Sequence, residues 1–304
     1  MNLRHIRAFI AVAEELHFGR AAKRLHIEQS PLSRTIRKLE ADLGVTLLKR
    51  SPREVRLTRE GRTFLEDARR IALAVELAQA RARAAAAGYQ GTLRIALSDG
   101  IGPARLSALL ALCREEAPEV SIRLVETPLA QLVSGLSGDL FDAGLALANE
   151  VDGEIVAVPV WQDPWVVVMP ARHPLLAFKE VPLQAMMGYP LVLCHPEVCS
   201  GCSRQCEHLL RSADVPPMGV EYVTTHALML ALVAAGYGVG LSSAAHLASC
   251  RQADVVVRPL ANQTTSLTTY LLRPTGAATE PLKQFIDRAE RVGRLQTAAH
   301  RSTG

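Results

Sequence analysis

The sequence predicts an α/β protein in three parts: a winged helix-turn-helix over 1–58, a long linker helix over 59–90 and an α/β body over 91–295, with a tail over 296–304. Three observations predict it. Basic charge gathers at the front, a strict heptad of apolar residues follows, and strands then alternate with helices. At 304 residues, 49% hydrophobic and 21% charged, the chain can bury a core and exceeds one ordinary domain. Six Cys make no disulfide scaffold, and 4% aromatic residues argue against a sugar- or base-stacking surface. The longest apolar stretch, 227–241, holds Gly236, Gly238 and Gly240 and is too short to span a bilayer. Arg4 and Arg7 precede a short apolar run, but Glu14 and Glu15 end it and no small-residue cleavage site follows. The expectation is a cytoplasmic chain with reduced thiols and no membrane partner.

Residues 1–58 hold twelve Lys and Arg against six Asp and Glu, a balance of +6, while the whole chain carries only +4. A basic module on a near-neutral body suits a polyanion bound by the front end alone. Leu3, Ile6, Ile10 and Ala13 recur at helical spacing, and Phe18, Ala21, Ala22 and Leu25 predict a second, short helix. After a tight turn over 26–29, Ser30 reads as an N-cap and Pro31 as the first residue of a third helix. Leu32, Ile36, Leu39 and Leu43 form its buried stripe, and Gly44 ends it. Ser33, Arg34, Arg37 and Lys38 lie on the other side, with Gln29 and Ser30 at the start. Such a helix fits the major groove of double-stranded DNA, where its N-terminal side chains meet base edges and its free N–H groups meet phosphate. Residues 47–57 read as a hairpin turning at 51–54. Arg53 at its tip, with Arg50 and Arg56 nearby, suits a wing along the adjacent backbone or minor groove.

Thr58 is a good N-cap for the next helix, with Glu60 in its first turn. Phe64, Ala68, Ile71, Val75, Ala78, Ala82 and Ala85 alternate at spacings of four and three. A stripe that narrow buries better against a twin helix than against a globular face, which predicts dimerisation and a palindromic DNA site. Residues 88–91 (Gly-Tyr-Gln-Gly) read as a hinge.

Beyond the hinge, strands over 92–97, 120–125 and 142–148 alternate with helices over 103–116 and 129–137, a βαβαβ run that predicts a parallel sheet covered on both faces. Further strands read over 165–169, 191–194, 220–223, 239–242 and 268–272, with helices near 202–212, 225–235 and 280–294. Ligands of open α/β sheets sit beyond the C-terminal strand ends, near helix N-termini. Four places qualify: Ser98-Asp99-Gly100, Thr127-Pro128, His195-Pro196, and Thr224-Thr225-His226.

The front of the chain resembles the LysR-type transcriptional regulator family from Leu3 to about Gly61. The residues that carry it are Ala21-Ala22, Leu25, Gln29-Ser30, Leu32-Ser33, Ile36, Leu39-Glu40, Leu43-Gly44, Leu47, Arg50, Leu57-Thr58 and Gly61. Leu48 departs from the family's usual Phe, a core swap without consequence for DNA binding. The resemblance implies a body like a periplasmic solute-binding protein. Its two α/β lobes, about 92–161 plus 268–295 and 162–267, would face each other across an effector cleft. It also implies a small effector, commonly a carboxylate or aromatic acid, a dimer or tetramer, and a regulator that can touch RNA polymerase.

Cys194, Cys199, Cys202 and Cys206 fall within thirteen residues, beside His195 and His208. Thiols at this spacing can bind zinc or a softer metal, or close a reversible disulfide, although buried Cys also serve as small hydrophobes. No cofactor is otherwise required. The family pattern does not ask for these residues, so a thiol- or metal-responsive regulator stands as the alternative to one controlled by a diffusible effector. Cys113 and Cys250 read as core or isolated residues. A solute-binding receptor would need export. An enzyme would need H-E-x-x-H, G-x-S-x-G or a P-loop; none occurs, and the glycines at 236, 238 and 240 are wrongly spaced for a dinucleotide loop.

Overall fold

The computed structural model describes residues 1–50, 55–86, 91–98, 100–151, 153–248, 254–261 and 266–301, with backbone alone at 80, 81, 84, 85 and 295–301. Arg53, Asp99, Cys250 and most of the hinge therefore lie outside the described residues. The chain divides into two compact units, Met1–Ala87 and Gly88–Gly304.

The first unit runs α1 (Leu3–Glu15), α2 (Phe18–Arg24), α3 (Gln29–Leu43), β1 (Leu48–Arg50), β2 (Val55–Leu57) and α4 (Arg59–Ala86). Each boundary has a chemical cause. The Asn2 side chain caps α1 by accepting from the His5 N–H, and His17 Nδ1 caps α2 by accepting from Gly19 and Arg20. Gly44, at φ 72, closes α3 in the left-handed conformation that glycine tolerates best. The start of α3 differs from expectation: Glu28, not Ser30, is the N-cap, and its carbonyl accepts from Leu32. Pro31 thus sits at the third helical position. It fits there equally well, because the N–H groups of the whole first turn lack intrahelical partners. Ile6, Phe9 and Val12 of α1 pack with Ala21 and Ala22 of α2, Leu32, Ile36 and Leu39 of α3, and Leu47 and Leu48. Burial of each large side chain contributes about 1.5–3 kcal/mol.

Thr58 joins the hairpin to α4. Its hydroxyl donates to Thr46 O at 2.8 Å and accepts from the Gly61 N–H at 2.8 Å. Gly61 is required at this junction, since a Cβ there would lie 2.0 Å from Leu47 O.

The second unit holds two five-stranded sheets. Lobe I contains β3 (Gly91–Leu97), α5 (Pro103–Glu116), β4 (Val120–Glu126), α6 (Leu129–Ser137), β5 (Ala143–Ala146) and β6 (Ile155–Asp163). Lobe II contains β7 (Trp165–Pro170), α7 (Leu183–Met187), β8 (Leu191–Cys194), α8 (Ser200–Arg211), β9 (Val220–Val223), α9 (His226–Ala234), β10 (Val239–Ser243), α10 (Ala244–Leu247) and β11 (Val255–Pro259). The chain then returns to lobe I through β12 (Leu267–Pro274) and α11 (Glu280–Arg301). Sheet orders are β4-β3-β5-β12-β6 and β11-β7-β10-β8-β9.

The βαβαβ run forms the parallel set β4-β3-β5 that its sequence predicts, although neither five-stranded sheet is parallel throughout. Four strands of each run in one direction, and a single strand runs against them: β12, antiparallel to β5 and β6, and β7, antiparallel to β10 and β11. The sequence reading missed β6 and β11. Both are edge strands containing proline, and in β6 the register slips beside Pro159, where an edge tolerates a residue that has no N–H to give the ladder.

The crossing between lobes is fixed by charge. Asp163, the last residue of β6, accepts from Arg105 Nη2 at 2.6 Å and Nε at 3.1 Å. Arg105 is 3% exposed and also donates to the backbone oxygens of Val292 and Gln162.

Candidate DNA interface and effector cleft

The third helix turns two faces to two environments. Leu32, Ile36 and Leu39 are fully buried, while Gln29, Ser30, Arg34, Arg37 and Lys38 are exposed and Pro31 and Ser33 half-buried. No ion pair ties Arg34, Arg37 or Lys38 among the described residues. Arg50 is different. Its guanidinium pairs with Glu40 Oε2 at 2.6 Å and lies over the Phe18 ring, while Glu40 Oε1 accepts from the Leu47 and Leu48 N–H groups. Arg50, expected to meet DNA, thus fastens the hairpin to α2 and α3.

A second network fastens the linker helix. Arg69 on α4 and Arg24 on α2 both pair with Glu14 on α1, each at 2.8 Å. Burial pushes the Glu14 carboxyl up, but hydrogen bonds from Arg69 and Arg24, and their charge, hold it below the ordinary glutamate value. The heptad on α4 therefore divides. Ala68 is buried in the core of this unit, with Phe64 packed against it 5.3 Å from the Phe9 ring, so these two are already used within the chain. Ile71 is 38% exposed, Val75 is half-buried, and Ala78 and Ala82 are exposed.

Between the lobes lies a cavity of about 440 Å³. It sits at the C-terminal ends of the parallel strands of both sheets. Lobe I contributes Ser98, Gly100, Glu126, Thr127, Pro128, Leu147 and Leu267, which follow or flank β3, β4, β5 and β12. Lobe II contributes Cys194, Val198, Cys199, Cys202, Thr224, Thr225, His226, Leu241, Ser242 and His246. The parallel ladder brings strand ends that are distant in sequence to one level. Ser98 N–H donates to Leu145 O, Thr127 N–H to Leu97 O, and His195 N–H to Val223 O. Helices α6, α8 and α9 start at this level, so their N-termini face the same space.

Most polar groups of the wall are spoken for. Thr127 donates to Gln131 at 3.0 Å, Thr225 caps α9 by accepting from Leu228, and His226 Nε2 lies 2.8 Å from Ser242 Oγ. The His226 and His246 rings are 4.0 Å apart. Burial, and then the neighbouring imidazole, push His226 down to about 3, and burial also lowers His246, so both are neutral at pH 7. Ser98 is the exception: it is 2% exposed and its hydroxyl has no hydrogen-bond partner. A buried, unsatisfied hydroxyl costs about 1–3 kcal/mol unless something completes it.

The sequence reading separated the strand-end residues from the cysteines; the structure merges them. Cys194, Cys199 and Cys202 line the cavity, whereas Cys206 is buried, and desolvation pushes its thiol up to about 12. The four thiols therefore do not converge. No group of three or more His, Cys, Asp and Glu is placed to hold a metal among the described residues. α8 begins at Ser200 with Cys199 as its N-cap, and Cys202 and Cys206, one turn apart on the helix, both pack toward the core, Cys206 the deeper. His195 and Pro196 do not line the cavity. The His195 ring stands edge-on to Tyr222, and its Nδ1 accepts from Glu197. Ser242 and His246 were missed; Ser242 obeys the same strand-end rule and was legible, while the short helix α10 carrying His246 gives no periodic signal.

On the far side of Leu147, a polar groove of about 870 Å³ separates the lobes. Gln205 of α8 crosses it, donating to Leu147 O at 2.6 Å and Thr268 O at 2.8 Å and accepting from Thr268 N–H at 2.8 Å. Three bonds thus tie the helix that carries Cys199 and Cys202 to lobe I. No helix among the described residues is long and apolar enough to cross a membrane.

Comparison with known proteins agrees with both halves. Residues 3–62 match the bacterial regulatory helix-turn-helix domain of the lysR family, and residues 86–294 match the LysR substrate binding domain. The chain is 35% identical over 242 residues to the uncharacterized HTH-type transcriptional regulator YnfL of Escherichia coli K12, covering 79% of this chain and 82% of that protein. It is 41% identical over 182 residues to a probable hydrogen peroxide-inducible genes activator of Mycobacterium xenopi, covering 60% and 96%. The crystal structure of CbnR, a LysR family regulator, superposes with a TM-score of 0.76 at 27% identity over 96% of this chain and 99% of that one. Full-length CbnR bound to its target DNA superposes at 0.73 and 28% identity, covering 96% and 100%. This chain belongs to the LysR family of DNA-binding transcriptional regulators, joining a helix-turn-helix to a two-lobed effector-binding domain.

Proposed function

We propose that a small molecule bound between the lobes of this cytoplasmic regulator controls its grip on an operator. The observation that carries the reading is the interlobe cavity with the buried, unpartnered Ser98 hydroxyl in its wall. Gln29, Ser30, Pro31, Ser33, Arg34, Arg37 and Lys38 face the DNA, and the exposed part of the α4 stripe, Ile71, Val75, Ala78 and Ala82, pairs with a second copy in a dimer or tetramer. A ligand that draws the lobes together alters the distance between recognition helices, and with it DNA bending and contact with RNA polymerase. Ligand and DNA must then change each other's affinity by the same factor. No cofactor is required. A thermal-shift screen of small apolar and acidic compounds on wild type and Ser98→Ala tests the reading. The expected result is a class that stabilises wild type more than the variant; compounds that stabilise both equally refute Ser98 as the anchor.

A second reading, in which the thiols themselves switch the regulator, is favoured by Cys194, Cys199 and Cys202 lining the cavity. The Mycobacterium xenopi relative, by its name a probable hydrogen peroxide-inducible genes activator, points the same way. A thiol count before and after mild peroxide, with operator affinity measured on each sample, separates the two. Loss of thiols with altered affinity supports the switch, and six thiols with unaltered affinity dismiss it.

A further inference from the structure

Resting on the placement of α3 in the major groove, we infer that Arg4 and Arg7 of α1 form a second DNA contact, holding backbone phosphates on the flank of the groove opposite the hairpin.

The borders of α3 lead there. Its residues advance by about 100° each around the axis. From the exposed Arg34, Thr35 lies about 100° to one side and Glu40 about 120° to the other. Glu40 is the border that carries the hairpin, through Arg50 and the Leu47 and Leu48 N–H groups. Thr35 is the border that meets α1. It lines a hollow of about 240 Å³ together with Arg4, Arg7 and the apolar Leu3, Leu25 and Ile27. Its hydroxyl donates to Pro31 O at 3.0 Å, one turn back, so the hollow adjoins the DNA-facing side of the helix. The recognition face thus lies between a hairpin and a pair of arginines, as the major groove lies between two phosphate backbones.

Arg4 and Arg7 stand one turn apart on α1 and are exposed, and no ion pair or hydrogen bond ties either among the described residues. In this they differ from Arg20, Arg24, Arg50 and Arg69, which carboxylates of the same unit hold. No Asp or Glu lines the hollow among the described residues, and the Thr35 hydroxyl is already used, so the two guanidinium groups carry its charge. An apolar floor suits the arginine stems and leaves their heads at the rim, where a planar fork of N–H groups matches phosphate. The occupant is DNA and not an acidic protein segment because the hollow is continuous, through Thr35, with the residues that enter the groove.

The test measures binding of the full chain to a selected operator and to a random duplex of equal length, by fluorescence anisotropy over a range of salt. Arg4→Ala and Arg7→Ala should each weaken both duplexes by the same factor and reduce the slope of log affinity against log salt by about 0.9. The fall in affinity between about 50 and 200 mM salt should then be about 3.5-fold smaller in each variant. Arg7→Lys keeps the charge and should keep the wild-type slope, which shows that the position tolerates substitution. Arg114→Ala removes an exposed arginine of the second unit and should leave the slope unchanged. A wild-type slope in Arg4→Ala and Arg7→Ala would overturn the proposal, as would an equal reduction in Arg114→Ala. A changed sequence preference at wild-type slope would make the arginines base readers and overturn it as well. If Arg34→Ala relaxes the preference while Arg4→Ala and Arg7→Ala do nothing, α3 stays in the groove and the second contact alone falls. If all three bind like wild type, the placement of α3 falls with it.

Discussion

The two units of this regulator encode their sites in opposite ways. The recognition helix carries its chemistry and its scaffold in one stretch: Leu32, Ile36 and Leu39 bury one side, and Arg34, Arg37 and Lys38 occupy the other. The effector cleft has no such stretch. Ser98, Thr127, Cys194, Thr225 and Ser242 become neighbours only because two sheets bring separate strand ends to one level. A site within one helix depends on local caps and clamps, while a site spread over two lobes depends on the crossing that sets their relation. Damage should therefore propagate differently in each.

The largest effect is expected at the crossing. Asp163→Ala leaves Arg105 buried with its charge uncompensated, which should cost the second unit about 3–5 kcal/mol in chemical denaturation. The DNA-binding unit's transition should stay in place, and coupled loss of both would contradict the division drawn above. Gly61→Ala is the converse experiment. Its Cβ would collide with Leu47 O, so about 3 kcal/mol should be lost from the first unit alone, seen as selective loss of α1–α3 protection in hydrogen exchange. Arg34→Ala should weaken binding to the selected operator by about 1–3 kcal/mol and relax its sequence preference in gel shifts, leaving thermal stability unchanged. Affinity and preference equal to wild type would remove the third helix from the groove. Gln205→Ala frees α8 from lobe I. Cleft closure measured by small-angle scattering should become less complete, for about 1–3 kcal/mol of lost hydrogen bonding.

The last effect concerns protons and is absent at neutral pH. His226 titrates near 3 in the fold against an ordinary value of 6.5, so the unfolded chain takes up the proton first as pH falls. Stability of the second unit contributed by this residue is complete above about pH 6.5 and declines toward pH 3. His226→Gln should flatten the pH dependence of unfolding across that window, and an unchanged slope would show that the His226–His246 pair is solvated.

Much of this was written locally and could be read. The striped third helix with its Gly44 stop, the cap at Thr58 and the strand-then-helix alternation all follow from residues within a few positions of each other. Where reading failed, a distant partner had decided the matter. Arg50 reads as a DNA contact, and its second role, holding Glu40 and covering Phe18, is written nowhere near it in the sequence. The heptad looks like one dimer seam until Phe9 claims Phe64. β6 went unread, and it is an edge strand whose ladder slips beside Pro159. Four cysteines within thirteen residues read as one cluster of undecided use, yet Cys199 and Cys202 line the cavity while Cys206 lies in the core. The cleft itself was half legible, since strand ends predict where a ligand lies but not which side chains from the second lobe meet it there.

The central claim is that the cleft and the operator share one equilibrium. The most direct test is to measure operator affinity with and without a cleft ligand, and ligand affinity with and without operator, on the same preparation. The account predicts equal factors in both directions, about 5–150-fold, abolished together by Ser98→Ala. A ligand that occupies the cleft while operator affinity stays constant would contradict it.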